Sequence, residues 1–296
     1  MVPGGSASAS APPSAASSPA ASSPTSRAPS AADGIPGELS FLTLTAGKPI
    51  ELRRYVGGAP QTVTFGTATS KDVYATPSPD GTRLAVNTPP DRDRIAPGDL
   101  VVVDGGGARR TVARNVRWDG GNTVVWSPDG ATLIAGGARY DAASGVRTPL
   151  AGEPRYLAYS PGGTTIAYLS QERPDAVTVS GVDGGSPRTV PVTGLAECEL
   201  TAGCPTSVQA VSDDGRYVAL GNVNSDPGHQ YQTALVYDTV AKQRVALGRI
   251  EHAWFRADGA VVVTSSQVKV FDKAWKVVHT YPLPAHDPQA VMFYRD

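Results

Sequence analysis

The chain alternates between short apolar runs rich in β-branched residues and short polar clusters that contain Pro, Asp and Gly. Residues 123–126 and 131–135, for example, are apolar and flank Ser127-Pro128-Asp129-Gly130. Pro presets φ, Asp bonds to its own backbone and Gly supplies a positive φ, so this cluster predicts a tight turn between two antiparallel strands. No window shows a sustained period of 3.6 residues, and we therefore predict an all-β chain.

The turn motif recurs five times. Its copies lie at residues 78–81, 127–130, 160–163 and 212–215, and a degenerate copy lies at 256–259. A second turn containing Asp-Gly-Gly alternates with the first, for example after Val103. Each repeat then comprises four strands, A to D, and its length of about 44 residues is in the range of a β-propeller blade.

The repeat resembles that of a known family, the TolB-like propellers with WD40-like (PD40) repeats. Blades of that family carry an aromatic-Ser-Pro-Asp-Gly turn followed by a Val-Asp-x-Asp-Gly-Gly turn. Residues 126–130 and 159–161 are similar to the first element, and residues 103–106 and 182–185 to the second. The resemblance covers roughly residues 38–296. It implies an architecture rather than an activity, because the matching positions are turn and core positions.

The two ends of the chain determine the predicted number of blades. Five complete blades begin near residues 73, 123, 156, 207 and 252. The N-terminal runs at 40–45, 49–55 and 61–65 read as strands B, C and D without a strand A, and residues 289–294 read as a strand A without a strand B. We therefore predict a six-bladed β-propeller with four antiparallel strands per blade, in which the sixth blade is shared by both ends of the chain.

Residues 1–37 consist almost entirely of Ala, Ser, Pro and Gly, with one cation at Arg27. This composition predicts a disordered linker, followed by a propeller domain at residues 38–296. No apolar run is long enough to cross a bilayer and no signal sequence is recognisable, so we expect no direct membrane insertion of this segment. The residue usage resembles that of actinobacterial proteins.

Cys198 and Cys204 lie close together in one predicted loop. We expect them to form a disulfide, which would persist in an oxidising compartment, and we therefore expect an extracytoplasmic protein that is secreted or tethered to the cell surface. A zinc site is the alternative, but it needs about four ligands and no further Cys or His is near in sequence. A cytosolic protein with an unstructured N-terminal segment is a further alternative.

The charge balance excludes one class of partner. The chain carries 26 basic and 27 acidic residues and has a net charge of −1. The chain therefore lacks the excess of positive charge that is typical of proteins that bind nucleic acid. We expect a monomer without a cofactor that binds a protein or a cell-envelope component.

The long predicted insertions fall on one face of the disc. In a four-stranded blade the A–B and C–D turns share one face, and the B–C and D–A connections share the other. The insertions at residues 87–98, 170–174, 193–206 and 222–232 all belong to the second face, where binding residues are usually found. The candidate binding residues in these loops are Asp91, Arg92, Asp93, Arg94, Glu172, Arg173, His229 and Tyr231, and those near the central opening are Trp118, Arg155 and His252.

The sequence contains no familiar catalytic motif. Nucleophile elbows, metalloprotease helices, P-loops and dinucleotide fingerprints do not occur, and the chain has four histidines. We therefore expect a non-catalytic binding module. The alternative is a metal-dependent lactonase or sugar-acting propeller with Asn115, Asp119, Glu153 and His252 in the channel, and a third hypothesis is the ectodomain of a larger membrane protein. Carboxylates and histidines converging on the axis would favour the enzyme, whereas apolar and small side chains there would favour the binding module.

Overall fold

The structure is a computed structural model, which describes residues 34–56, 59–72, 74–88, 97–117, 124–150, 154–170, 173–192, 207–221 and 233–296, together with Met1. Its strands form six separate four-stranded antiparallel sheets. The prediction of a six-bladed propeller with four antiparallel strands per blade is therefore confirmed.

The first blade is built from both ends of the chain, as predicted. Its order is β24-β1-β2-β3, so the C-terminal strand pairs with the first strand of the chain. The strands are β1 (Glu38–Thr43), β2 (Pro49–Val56), β3 (Ala59–Thr67) and β24 (Val291–Arg295).

The other five blades follow in chain order, and each keeps its first strand at the axis. Blade 2 contains β4 (Tyr74–Pro77), β5 (Arg83–Thr88), β6 (Gly98–Asp104) and β7 (Arg109–Val116). Blade 3 contains β8 (Val125–Trp126), β9 (Thr132–Ala135), β10 (Ala138–Asp141) and β11 (Arg147–Pro149). Blade 4 contains β12 (Arg155–Tyr159), β13 (Thr165–Ser170), β14 (Arg173–Gly181) and β15 (Arg188–Pro191). Blade 5 contains β16 (Ser207–Val211), β17 (Tyr217–Gly221), β18 (Thr233–Asp238) and β19 (Gln243–Arg244), and blade 6 contains β20 (His252–Arg256), β21 (Gly259–Val263), β22 (Gln267–Asp272) and β23 (Val277–Pro282).

The repeated turn is formed as its sequence predicts. In blade 3 the backbone N–H of Gly130 donates to the carbonyl of Ser127, and the Ser127 hydroxyl donates to Asp129 at 2.5 Å. Gly81, Gly130, Gly163 and Gly215 all have φ between 65° and 72°, a region that side chains disfavour. The degenerate copy differs, because Arg256 pairs directly with Gly259 and the glycine needs no positive φ.

The same glycines let neighbouring blades approach closely. A methyl group at Gly81 would lie 2.6 Å from Arg54 of blade 1, and one at Gly130 would lie 3.1 Å from Arg83 of blade 2. Arg83 also donates to the carbonyl of Gly130 at 3.1 Å and lies over the ring of Trp126. The turn motif therefore joins successive blades as well as reversing the chain.

Arginines make similar contacts at two further junctions. Arg139 of blade 3 donates to the carbonyl of Val182 in blade 4. Arg188 of blade 4 donates to the carbonyl of Gly215 and to the hydroxyl of Thr239 in blade 5, each at 3.1 Å. Guanidinium groups suit this role because one side chain can satisfy several buried acceptors.

The hydrophobic core lies between the blades. At the closure of the ring, Leu39 and Phe41 of blade 1 pack with Val261, Val270 and other residues of blade 6. Ile35 is buried in the same cluster, so packed residues begin before the first strand. The N- and C-terminal strands thus complete a core that neither end could form alone.

Candidate functional site

The two faces of the disc differ in the length of their connections. Between the described strands, every A–B and C–D connection has six residues or fewer. We call the side of the disc that carries the A–B and C–D connections the short-turn face, and the opposite side the loop-rich face. The connections of seven residues or more all join strands B to C or D to A on the loop-rich face, and they span residues 89–97, 117–124, 192–206, 222–232, 245–251 and 283–290.

One of the predicted insertions is shorter than expected. We expected residues 170–174 to form a long loop, but β13 ends at Ser170 and β14 begins at Arg173. The connection is therefore only two residues long, because the polar run from Arg173 to Asp175 continues the strand. The other predicted insertions lie between the strands that the sequence indicated.

Most candidate binding residues lie outside the described residues. Arg155 and Arg173 are the first residues of β12 and β14, which places their backbones at the loop-rich ends of two strands of blade 4. His252 is described, and it occupies the corresponding position in β20. The residues outside the described part of the chain are Asp91, Arg92, Asp93, Arg94, Trp118, Glu172, His229, Tyr231, Cys198 and Cys204.

A central channel runs between the six inner strands. All six strands, β4, β8, β12, β16, β20 and β24, contribute to its wall, and the cavity has a volume of about 360 Å³. Each inner strand is the edge strand of its blade and has a neighbouring strand on one side only. Most of the lining side chains are apolar or small, among them Val125, Ala158, Val208, Ala210 and Met292.

An aromatic series follows one side of the channel. His252 and Trp254 alternate along β20 and stack with their ring centroids 5.2 Å apart and their planes 2° from parallel. Trp254 also contacts Tyr294 of β24, at 5.9 Å. Since His252 is 5% exposed and Trp254 packs with clusters on both sides of blade 6, these rings hold blades 1, 5 and 6 together as well as lining the channel.

Two tyrosines of the channel wall, Tyr159 and Tyr294, extend their hydroxyl groups towards residues that do not line the channel. The hydroxyl of Tyr159 is buried without a well-formed hydrogen bond among the described residues, and burial raises its pKa although Thr132 and Arg139 lie close. The hydroxyl of Tyr294 donates to the carbonyl of Pro36 at 2.7 Å, and burial raises the pKa of Tyr294 to about 12, an effect that Arg256 opposes. Both phenols are therefore neutral at physiological pH.

The described part of the channel does not converge on a metal-binding arrangement. Within the described residues, no group of three or more His, Cys, Asp or Glu side chains is placed to hold a metal ion. Of the four residues that the enzyme hypothesis requires, Asp119 and Glu153 lie outside the described residues. Asn115 is exposed near the end of the outer strand β7, and His252 alone lines the channel.

Sequence reasoning identified His252 but missed other residues of the wall. Tyr159 precedes the turn of blade 4, and Gln209 occupies the middle of β16. The available signal was the repeat register, since the residues before each Ser-Pro-Asp-Gly turn belong to an inner strand.

No helix within the described part of the chain has the length and apolarity to cross a membrane.

The fold is similar to that of solved propellers. A TolB from Acinetobacter baumannii aligns with a TM-score of 0.53 and 14% sequence identity over 86% of this chain, and this chain spans 65% of that protein. A protein from Agrobacterium tumefaciens provisionally identified as TolB aligns with a TM-score of 0.42 and 18% sequence identity, over 88% of this chain and 91% of that protein. A candidate 6-phosphogluconolactonase from Bacteroides fragilis aligns with a TM-score of 0.43 and 13% sequence identity, over 89% of this chain and 99% of that protein. No family model and no curated protein matches the sequence. At these identities the likeness concerns the fold alone.

Proposed function

We propose that this chain is a non-catalytic, extracytoplasmic propeller that binds a protein or cell-envelope partner through its loop-rich face. The observation that carries the proposal is the asymmetry of the disc. All connections of seven residues or more lie on the loop-rich face, whereas the other face consists of tight turns. Long loops on a rigid scaffold are the usual location of binding residues.

The channel supports a binding module rather than an enzyme. Its described wall consists mainly of apolar and small side chains, and the aromatic series of His252, Trp254 and Tyr294 is used for packing between blades. The carboxylates that line it, Glu38 and Asp296, are ion-paired with Arg295 and Arg256, so the wall offers mainly contact area.

Charge reversal on the loop-rich face tests the proposal. A full-length chain and its Arg92→Glu/Arg94→Glu variant are used as baits on envelope extracts of the source organism, with quantitative mass spectrometry of the captured proteins. The matched control is Arg147→Glu/Arg244→Glu, since both of these arginines are exposed on outer strands away from that face. We expect a partner that the loop variant loses at least tenfold and that the control retains, and equal capture by all three baits would contradict the proposal.

Two further measurements test the compartment and the chemistry. Intact mass after alkylation, with and without reductant, should show that Cys198 and Cys204 are protected until reduction. Elemental analysis of the purified protein should find no stoichiometric divalent ion. An ion bound at one equivalent would instead favour the metal-dependent channel enzyme.

A further inference from the structure

The short-turn face has a second cavity, at the junction of blades 5 and 6. Its volume is about 260 Å³. The floor contains Tyr217, Phe255 and Trp275, whose rings pack edge to face around Trp275 at centroid distances of 5.2 Å and 6.5 Å. The rim is charged and includes Asp213, Asp214, Arg216, Arg256, Asp272 and Lys273. This cavity lies on the face opposite to the one that we propose for partner binding, so it is an independent site.

At two other junctions the corresponding space is filled by proline. A methyl group at Gly130 would lie 3.6 Å from Cδ of Pro79, and one at Gly163 would lie 3.4 Å from Cδ and Cγ of Pro128. The proline of one turn therefore packs against the turn glycine of the next blade. In blade 5 the proline position of the motif is occupied by Asp213.

Asp213 does not fill the space that a proline would occupy. Its carboxylate accepts a hydrogen bond from the backbone N–H of Gly162 at 2.7 Å, and Gly162 belongs to the preceding blade. The side chain thus turns back towards blade 4. The gap towards blade 6 remains open and is lined by Ala257, Gly259 and the aromatic floor.

Trp275 is presented to this cavity at a conformational cost. It has φ of 60° and sits three residues after Asp272, where the matching turn of blade 2 has Gly107 after Asp104. A left-handed conformation costs a non-glycine residue about 1–2 kcal/mol. Its indole nitrogen is buried without a hydrogen-bond partner among the described residues, so its N–H signal reports on the packing of this ring.

We propose that this cavity is a seat for proline, and that its occupant is the N-terminal segment of this same chain, residues 2–33. Grooves lined by Trp and Tyr bind proline-containing segments because the preformed polyproline II conformation loses little entropy on binding. The segment contains six prolines, at positions 3, 12, 13, 19, 24 and 29. It carries few charges, which suits an apolar floor.

The position of Gly34 makes the seat reachable. A methyl group at Gly34 would lie 3.1 Å from the ring of Tyr281, so the segment leaves the propeller beside the outer strand of blade 6. Tyr281 is six positions after Trp275 along this strand and its turn, which is about 20 Å at the rise of a β-strand. A polyproline II segment spans about 3 Å per residue, so ten to twelve residues suffice. Docking would hold the segment on the short-turn face and leave the loop-rich face clear.

Nuclear magnetic resonance of the indole N–H groups tests this proposal in the full-length chain. The wild type is compared with a variant in which Pro12, Pro13, Pro19, Pro24 and Pro29 are all replaced by Ala, and with a matched variant in which five serines of the same segment are replaced by Ala. The Trp275 signal is assigned by its loss in Trp275→Gly, which keeps the positive φ. Trp126 is the internal reference, because its indole N–H donates to the carbonyl of Thr76 at 3.0 Å.

We expect the Trp275 signal to move in the variant that lacks these five prolines and not in the serine variant, while the Trp126 signal stays in place. At an effective concentration near 1 mM and a dissociation constant of similar size, the seat would be about half occupied. Asp213→Pro should restore the filling seen at the other junctions and abolish the difference, and a serine such as Ser212 is compatible with a following proline, because serine precedes proline in the turns of blades 2, 3 and 4. An unmoved Trp275 signal, or a movement that grows with protein concentration and so reports a second copy, would overturn the proposal.

Discussion

Glu38→Gln is expected to weaken the closure of the ring. Glu38 begins β1, and its two carboxylate oxygens accept hydrogen bonds from Nε and a terminal nitrogen of Arg54, both at 2.6 Å. A third bond comes from Arg295 of β24 at 3.2 Å. One carboxylate therefore joins three strands of blade 1, including the strand supplied by the C-terminus.

The expected cost follows from burial. The side chains of Glu38 and Arg54 are 9% and 14% exposed. Removing one partner of a buried ion pair costs about 3–5 kcal/mol, because the remaining charge is left uncompensated. Hydrogen bonding to Glu38 raises the pKa of Arg54, and Arg54 remains a cation after the substitution. Glutamine keeps an acceptor and solvent reaches Arg295, so we expect the lower end of this range, about 3 kcal/mol.

Thermal unfolding followed by circular dichroism measures the effect. For a domain of this size 1 kcal/mol corresponds to about 2 °C, so the melting temperature should fall by about 6 °C. Glu51→Gln is the matched control, since Glu51 is exposed in the neighbouring strand of the same blade and should change stability by less than about 0.5 kcal/mol. If Glu38→Gln melts within 1 °C of the wild type, the carboxylate does not stabilise the seam and the reasoning fails.

Three further predictions concern the closure and the turns. Deletion of residues 288–296 should lower the melting temperature by many degrees, because it removes the inner strand of blade 1, and an unchanged curve would refute the shared blade. Gly130→Ala should cost about 1–3 kcal/mol in urea unfolding, since φ is 67° and Arg83 lies 3.1 Å from the added methyl group, whereas alanine at Gly248 has open space and should cost less. The hydrogen bond from Ser127 lowers the pKa of Asp129 in the folded protein. The ionised Asp129 therefore contributes its full stabilisation above the unfolded pKa near 4, and this stabilisation is lost as the pH falls through the lower pKa of the folded state. Ser127→Ala should reduce the loss of stability between pH 5 and pH 2, which unfolding in urea at each pH measures.

The architecture could be predicted because the turn motif is local. Four residues such as Ser127-Pro128-Asp129-Gly130 specify a turn through their own dihedral preferences and hydrogen bonds, and five copies specify the repeat. The N-terminal strands could be placed by elimination, as they lacked a strand A. The two-residue connection before Arg173 was not predicted, because polar residues in a strand look like a loop when the sequence is read alone.

The cavity between blades 5 and 6 could not be predicted in the same way. It depends on which side chain of one blade lies over the turn of the next, and that contact is absent from the sequence pattern. The replacement of proline by Asp213 and of glycine by Trp275 was visible, but each looks like ordinary variation in a turn. Only the direction of the Asp213 carboxylate, towards Gly162, shows that a space is left open.

The shared blade also means that the ring has no natural starting point. Glu38 pairs with Arg295 at the position where every other blade has an A–B turn, so the start of the first strand and the end of the last strand lie side by side. A short Ser-Pro-Asp-Gly bridge between them would supply the missing turn, and a new start could then be opened at another A–B turn. Such circularly permuted genes should yield the same propeller, and they would allow a fused domain to be placed at a chosen blade around the rim.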